Sequence, residues 1–209
     1  LLDRLAETGR PLLLSCGCAL IDEIRGTIDR LTTSRPEVEI VLLHCAVGYP
    51  IRDEEANLGR IATLAALGRP VGWSDHSTGV ELGIAAMALG ARVIEKHFTI
   101  DRALPGGDNT MSILPAELRA LATAAVRLEA AFRTPVGELT PTELELRIPI
   151  RRSLHLRRDV RAGEQLNDEN LALCRPGDGM PPAAMAATMG RTVRRNLSAG
   201  HRLEEGDLE

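Results

Sequence analysis

Short apolar runs alternate with segments of helical periodicity through the first two thirds of the chain. The four runs cover residues 12–15, 40–44, 71–73 and 93–97, and the helix-period segments that follow them cover residues 21–31, 57–67, 81–89 and 115–132. Near-continuous apolar strands that alternate with helices indicate parallel strands covered on both faces. The pattern predicts an α/β fold of four βα units, which form either half of an eightfold barrel or a small open sheet.

Polar side chains gather where the predicted strands end, which is where parallel α/β folds place their active sites. They are Ser15, His44, Tyr49, Ser74, Asp75, His76, Glu95 and His97. Polar residues begin most loops, but this does not explain two histidines on adjacent strand ends, each beside a carboxylate. If residues 71–73 and 93–97 are parallel neighbours, His76 and His97 emerge at one rim and can share a divalent metal.

The period of two within the last strand places Glu95 and His97 on one face and Lys96 on the other. Lys96 is therefore expected at the surface or facing a helix rather than in a catalytic role. Because it is the only lysine among 25 basic residues, any phosphate site must use arginine, hydroxyls, backbone NH groups or metal. His44 is expected to be a core or rim histidine rather than a third metal ligand.

The composition of the chain changes near residue 135. Residues 135–150 carry prolines, threonines and acidic residues without sustained apolar periodicity, which indicates a linker between a domain at 1–134 and a domain at 151–209. In the second domain, segment 158–171 realigns with segment 195–208. Each copy predicts a strand, a turn at Gly163 or Gly200, a short strand and a capped helical turn. A pseudo-symmetric β module with an exposed loop at 175–179 is expected.

Charge and hydropathy narrow the function classes. A formal net charge of -4 argues against a nucleic-acid partner. The chain has neither a secretory leader nor an apolar run long enough to span a bilayer, so a cytoplasmic location without a membrane partner is expected.

Several ordered motifs identify a resemblance over nearly the whole chain. They are Leu43-His44-Cys45, Tyr49-Pro50, Ser74-Asp75-His76-Ser77, Ile94-Glu95-Lys96-His97-Phe98-Thr99, Pro105-Gly106-Gly107-Asp108, Arg152-Ser153-Leu154 and Arg175-Pro176-Gly177-Asp178-Gly179. In these the chain resembles the sialic acid (N-acetylneuraminate) synthases, whose relatives make legionaminic and pseudaminic acids. The resemblance implies the C-terminal half of a TIM (β/α)8 barrel followed by a small antifreeze-like (SAF, β-clip) domain. It also implies condensation of phosphoenolpyruvate with an N-acylated hexosamine such as N-acetylmannosamine, with release of phosphate.

The same resemblance implies roles for particular residues. His76 and His97 would bind a divalent metal, Mn²⁺ or Mg²⁺, and would be catalytic together with Glu95, a candidate for proton handling. Metal polarisation of the sugar aldehyde suits attack by the weakly nucleophilic enol carbon. Substrate-binding residues would be Ser15, Tyr49, Ser74, Asp108 and Arg175. Arg175 would enter the barrel of a second subunit, so a domain-swapped homodimer is expected.

The chain also departs from the family pattern. Val47 replaces an asparagine and Gly107 replaces a proline, which leaves the identity of the acyl-sugar open. The chain begins at the helix before the fifth strand of a synthase barrel, so it lacks the lysines that grip phosphoenolpyruvate, and by itself it is expected not to turn over. Two alternatives stay open: another metal-dependent barrel aldolase or hydrolase, and a non-catalytic sugar-binding remnant.

Overall fold

The computed structural model describes all 209 residues, which divide into two compact units, Leu1–Arg133 and Thr134–Glu209. The N-terminal unit contains α1 (Leu2–Ala6), β1 (Leu12–Ser15), α2 (Ile21–Ser34), β2 (Ile40–Cys45), α3 (Arg60–Ala65), β3 (Val71–Asp75), α4 (Glu81–Ala88), β4 (Val93–Lys96) and α5 (Pro115–Ala131). The C-terminal unit contains α6 (Pro141–Ile150), β5 (Ser153–Leu156), β6 (Leu171–Cys174) and α7 (Met185–Thr188). None of these helices is long and apolar enough to cross a membrane.

The four strands of the N-terminal unit form one parallel sheet in the order β1-β2-β3-β4. A doubly wound open sheet would reverse its strand order at a switch point, whereas this order follows the chain. The sheet is therefore a half-barrel, and the predicted α/β class is confirmed. The complete eightfold barrel stays a prediction.

One face of the half-barrel packs against the helices. Alternate strand positions such as Leu42, Val71 and Trp73 join Leu31 of α2 and Leu64 of α3 in a single buried core. The prediction that both faces are covered holds only in part, because the opposite face has no helix over it: Leu13 is 55% exposed at its edge, whereas Leu43 and Ser74 are buried nearer its centre. Periodicity alone reports that a strand is apolar, not how many layers lie against it.

The strands approach one another closely at the centre of the uncovered face. Gly72 lies in β3 between Leu43 of β2 and Val93 of β4. A Cβ atom added to Gly72 would lie 2.5 Å from the Val93 carbonyl oxygen and 2.6 Å from the Leu43 Cδ2. Real Cβ atoms do not approach other atoms this closely, so glycine lets the neighbouring strands and their side chains come together here.

The C-terminal unit confirms the internal duplication. Val160 and Leu197, at equivalent positions in the two copies, exchange backbone hydrogen bonds of 2.9 Å in both directions. Asp159 accepts a hydrogen bond from the backbone of Ala199, and its counterpart Asn196 accepts one from Ala162. The unit is thus pseudo-symmetric about the 160–197 pair.

The strands predicted within each copy are shorter than expected. The turn glycines Gly163 and Gly200 have φ values of 78° and 80°, as the sequence predicted. The strands themselves reduce to isolated bridges, such as that between Gln165 and Thr192, and the antiparallel pair β5–β6 is the extended ladder of the unit. Tight turns every few residues leave no room for longer ladders.

The segment predicted as a linker contains a regular element. Helix α6 spans ten residues of it, and its N-terminus is capped by Thr140, whose hydroxyl accepts a hydrogen bond from the Glu143 backbone NH. The Glu143 carboxylate accepts one from the Thr140 backbone in return, which completes a capping box. The sequence shows no apolar periodicity here because α6 buries no residue, and the role of residues 135–150 as a linker stays a prediction.

Candidate active site

Two histidines and a tyrosine meet at the carboxyl end of the half-barrel. His76 directly follows β3 and His97 directly follows β4, so the parallel pairing of these strands brings both imidazoles to the same rim. Their ring centroids lie 5.4 Å apart. The Tyr49 ring, from the loop after β2, lies 4.3 Å from the His76 ring and 5.9 Å from the His97 ring.

Hydrogen bonding orients the His76 ring. Its Nδ1 lies 3.1 Å from the Ala46 carbonyl oxygen, and because a carbonyl only accepts, Nδ1 carries the hydrogen and donates. Nε2 is then the unprotonated nitrogen, with its lone pair available to a ligand. His97 Nδ1 lies 3.6 Å from the Asp108 Oδ2, and Asp108 itself is largely exposed. His76 is buried, whereas His97 is partly open to solvent.

A hydroxyl–carboxylate pair completes the rim. Ser74 of β3 and Glu95 of β4 are cross-strand partners on the uncovered face. The Ser74 Oγ donates to the Glu95 Oε1 over 2.5 Å, a short bond of the charge-assisted kind. Ser74, His76, Glu95, Lys96 and His97 line a cavity of about 240 Å³. The site therefore combines two imidazoles, two carboxylates, a phenol and a hydroxyl.

The donor set suits a divalent cation. Carboxylate and water oxygens suit manganese and magnesium, and imidazole nitrogen is the commonest side-chain ligand of metal ions. No group of three His, Cys, Asp or Glu side chains converges on one point. His76 and His97 would thus be two protein ligands, with Glu95 and Asp108 close by and the remaining coordination positions left to water or substrate oxygens.

Ser15 and Arg175 are not among the candidate residues that line this cavity. Ser15, at the end of β1, shares the uncovered face with Ser74 but lines a separate cavity of about 340 Å³ together with Gly17 and Cys18. Arg175 belongs to the C-terminal unit, where it is exposed and its Nε donates to the Ile150 carbonyl over 2.8 Å. The roles assigned to both residues stay predictions.

Lys96 faces the helices and is buried. Its Nζ lies 2.7 Å from the Asp75 Oδ2, and the two side chains are only 4% and 0% exposed. It also donates to the Ser77 carbonyl over 2.8 Å. Of the two positions expected for Lys96, the surface is wrong and the helix side is confirmed. The pairing of Lys96 with Asp75 was not predicted.

His44 lies on the same side of the sheet as Lys96 and not in the site. Its Nε2 donates to the Ala56 carbonyl over 2.8 Å, and its side chain is buried. Burial lowers the pKa of His44 and outweighs the opposing hydrogen bond to Ala56. It is a core histidine, as expected.

Cys45 is a neighbour of the site that the sequence analysis did not single out. It is the cross-strand partner of Ser74 and lies on the uncovered face. Burial raises the pKa of the Cys45 thiol, the Ser74 hydrogen bond lowers it, and the charge of Glu95 raises it further. A thiol whose pKa is raised stays protonated near neutral pH and is a weak nucleophile.

A curved parallel sheet with a polar rim at its carboxyl end is the arrangement in which α/β barrels place their active sites, and comparison with known proteins identifies the family. The profile of the NeuB family matches residues 1–136, and that of the SAF domain matches residues 151–209. The chain therefore belongs to the NeuB family, which confirms the resemblance to sialic acid synthases.

Individual relatives agree with this assignment. The chain is 37% identical to N,N'-diacetyllegionaminic acid synthase from Legionella pneumophila over 95% of its own length and 57% of the relative. It is 32% identical to the synthase of the same name from Campylobacter jejuni, over 98% of its length and 62% of that protein. The crystal structure of N-acetylneuraminic acid synthetase from Leptospira borgpetersenii superposes with a TM-score of 0.64 at 36% identity, covering 69% of this chain and 50% of that one. The matched parts thus span between 50% and 62% of the length of these synthases.

Proposed function

We propose that this chain carries the metal- and sugar-binding rim of a nonulosonic acid synthase, which condenses phosphoenolpyruvate with an N-acylated hexosamine and releases phosphate. The observation that carries the proposal is the convergence of His76 and His97, with ring centroids 5.4 Å apart, beside Tyr49 and Asp108. The names of the relatives, which are synthases of legionaminic and neuraminic acids, support the product class.

His76 and His97 would hold Mn²⁺ or Mg²⁺ through their imidazole nitrogens. When bound, the cation supplies Lewis-acid polarisation of the open-chain sugar aldehyde, on whose oxygen negative charge develops. The protein's own contribution is orientation: the Ala46 carbonyl fixes the ring of His76, and the Tyr49 ring packs against both imidazoles. These contacts restrict the orientation of the two imidazole rings before any substrate binds.

Glu95 is the proposed proton-handling or orienting group. Its carboxylate is exposed on the uncovered face and accepts a hydrogen bond from the Ser74 hydroxyl. A carboxylate held by one hydrogen bond keeps its second oxygen for a substrate proton or hydroxyl. Asp108, which lies beside His97 and is 61% exposed, can accept hydrogen bonds from hydroxyls of the sugar.

Phosphoenolpyruvate would meet hydroxyls rather than an amine within this chain. The only lysine is engaged with Asp75 on the helix side, whereas Ser15 presents a hydroxyl on the uncovered face and Ser74 would have to exchange its hydrogen bond to Glu95 for one to the substrate. Serine hydroxyls, arginine and backbone NH groups are common phosphate ligands.

The acyl group of the sugar is assigned to Arg175 of the partner subunit in a domain-swapped homodimer. Because the Nε of this arginine donates to the Ile150 carbonyl, its two terminal nitrogens remain available to bind an acceptor together.

The substrate chemistry is that of a soluble biosynthetic enzyme, and we propose a cytoplasmic location.

One form of the rival aldolase function, a Schiff-base aldolase built on Lys96, is disfavoured by an observed contact, and the metal-dependent aldolase or hydrolase stays open. A Schiff-base aldolase needs a lysine amine free to attack a carbonyl. Lys96, the chain's only lysine, donates to Asp75 and Ser77 instead. A non-catalytic sugar-binding role is separated from a synthase by the experiment that follows.

The test is product analysis with the protein as its gene encodes it. Phosphoenolpyruvate and a panel of N-acylated hexosamines are supplied with Mn²⁺, and phosphate release and nonulosonic acid are measured by mass spectrometry. We expect equal amounts of both products from at least one sugar, and their loss in His76→Ala and His97→Ala. The matched control is His44→Gln, which alters an imidazole on the far side of the sheet. Sugar binding without any product would support the non-catalytic alternative.

A further inference from the structure

A buried ion pair lies directly beneath the rim. Asp75 of β3 and Lys96 of β4 are cross-strand register partners, and their side chains meet at 2.7 Å on the helix side of the sheet. Both are almost completely excluded from solvent. An ion pair in this position contributes little net stability relative to apolar residues of the same shape, so stability alone does not account for it.

Each member of the pair lies between two residues of the site. On β3, Asp75 separates Ser74 from His76, and on β4, Lys96 separates Glu95 from His97. Because side chains alternate between the two faces of a strand, a link between residues 75 and 96 below the sheet aligns their neighbours above it. A slip of one residue would turn His76 or His97 toward the helices.

The pair also controls how β3 ends. Asp75 Oδ1 accepts hydrogen bonds from both the backbone NH and the hydroxyl of Ser77, at 2.8 and 2.6 Å. Lys96 donates to the Ser77 carbonyl as well. These contacts hold residues 75–77 in a turn, and His76 lies in the middle of that turn. The direction of the His76 ring therefore depends on contacts made from the opposite face.

We infer that Asp75 and Lys96 are positioning residues, which tie the ends of β3 and β4 together from below and so hold the His76 and His97 rings at the separation at which they share a ligand. The identity of that ligand rests on the proposed function, but the geometric part does not. Neither residue is assigned contact with substrate or metal.

The test removes both charges together. Lys96→Met alone would leave a buried carboxylate without its partner and risks misfolding, so the decisive variant is the double substitution Asp75→Asn with Lys96→Met. Its asparagine can still accept from Ser77, and its methionine keeps the length of the lysine stem. Leu31→Ala is the matched control, because Leu31 is equally buried in the core shared with β3 but makes none of the hydrogen bonds that hold residues 75–77.

The metal-independent readout is the rate at which diethyl pyrocarbonate modifies His76, followed by mass spectrometry of the folded protein. His76 and His155 are 6% and 7% exposed, and His155 lies in the other unit, so it is an internal reference. We expect His76 to react at least about 5-fold faster in the double variant, with His155 unchanged and Leu31→Ala at the wild-type rate. If the pair only stabilises the fold, its removal would lower the melting temperature without changing the rate at which His76 is modified.

A Mn²⁺ titration of the same proteins links the geometry to the ligand. Loss of groups that orient metal ligands typically weakens binding about 10- to 100-fold, and we expect this range for the double variant. An unchanged rate for His76, or wild-type Mn²⁺ affinity in the double variant, would overturn the inference. If the wild-type protein binds no Mn²⁺, the proposed function fails, and the reactivity of His76 alone decides whether the pair positions the rim.

Discussion

The substitution Gly72→Ala tests whether close approach of three strands builds the half-barrel. The added methyl group would lie 2.5 Å from the Val93 carbonyl oxygen, which belongs to the backbone and cannot rotate away. It would also lie 2.6 Å from the Leu43 Cδ2. Overpacking of a well-packed interior costs about 1 to 3 kcal/mol, and we expect the upper end because β4 has to move. The shift would also separate the Ser74–Glu95 pair two residues further along.

Urea unfolding followed by Trp73 fluorescence is a direct assay, because Trp73 is the chain's only tryptophan and adjoins Gly72. With a slope of about 2 kcal/mol per molar urea, a cost of about 3 kcal/mol lowers the midpoint by about 1.5 M. The matched control is Gly26→Ala in helix α2, where nothing lies within 4 Å of the new Cβ. It should raise the midpoint by about 0.5 M, since alanine favours a helix by about 1 kcal/mol over glycine. A Gly72→Ala midpoint within about 0.3 M of wild type would refute the packing argument.

Two further predictions concern buried titratable groups. Burial would raise the pKa of Asp207, but hydrogen bonds from His201 and Arg195 lower it overall, so the stability it contributes is present above about pH 4 and lost as the pH falls through the lowered pKa. Asp207→Asn should cost about 1.5 kcal/mol at pH 7, because Arg195 is 66% exposed and keeps its hydration, and should weaken this acid dependence; calorimetry between pH 7 and 3 that shows no difference from wild type would contradict it. Burial lowers the pKa of His44, so the N-terminal unit should lose stability as the pH falls below about 6.5 toward that lowered value. His44→Gln should flatten the difference between urea midpoints at pH 7.5 and 5.5, and an undiminished difference would assign the effect to other groups.

The strands of the N-terminal unit were predictable because each is a short apolar run closed by polar residues. Residues 12–15 match β1 without change, and the other strands differ by one or two residues at an end. Helix α3 is shorter than the predicted segment 57–67 because Asn57 has a φ of 44°, which no helix accommodates. Such a backbone conformation is decided by the tertiary contacts of the loop and leaves little trace in periodicity.

Helix α6 could have been found from a different signal. Thr140, Pro141 and Glu143 form the sequence signature of a capped helix start, with proline at the first helical position. Its apolar residues were uninformative because the helix buries none of them. A search for caps therefore succeeds where a search for an amphipathic face fails.

The sequence predicts which side chains of the candidate site share a face, but not which residues on neighbouring strands they contact. A period of two separates Glu95 and His97 from Lys96 without any structure. The pairing of Lys96 with Asp75 depends on the register between β3 and β4, which a single sequence does not specify. The same holds for Cys45, whose position next to Ser74 follows from pairing and not from its own neighbours in sequence.

Isothermal titration of the metal-free protein with Mn²⁺ tests the central claim most directly, namely that His76 and His97 form one ligand pair. Wild type and His44→Gln are predicted to bind one ion with the same affinity, because His44 lies behind the sheet. His76→Ala and His97→Ala are each predicted to weaken binding at least about 100-fold, or about 2.7 kcal/mol. Equal Mn²⁺ affinity in wild type and in both alanine variants would contradict the account.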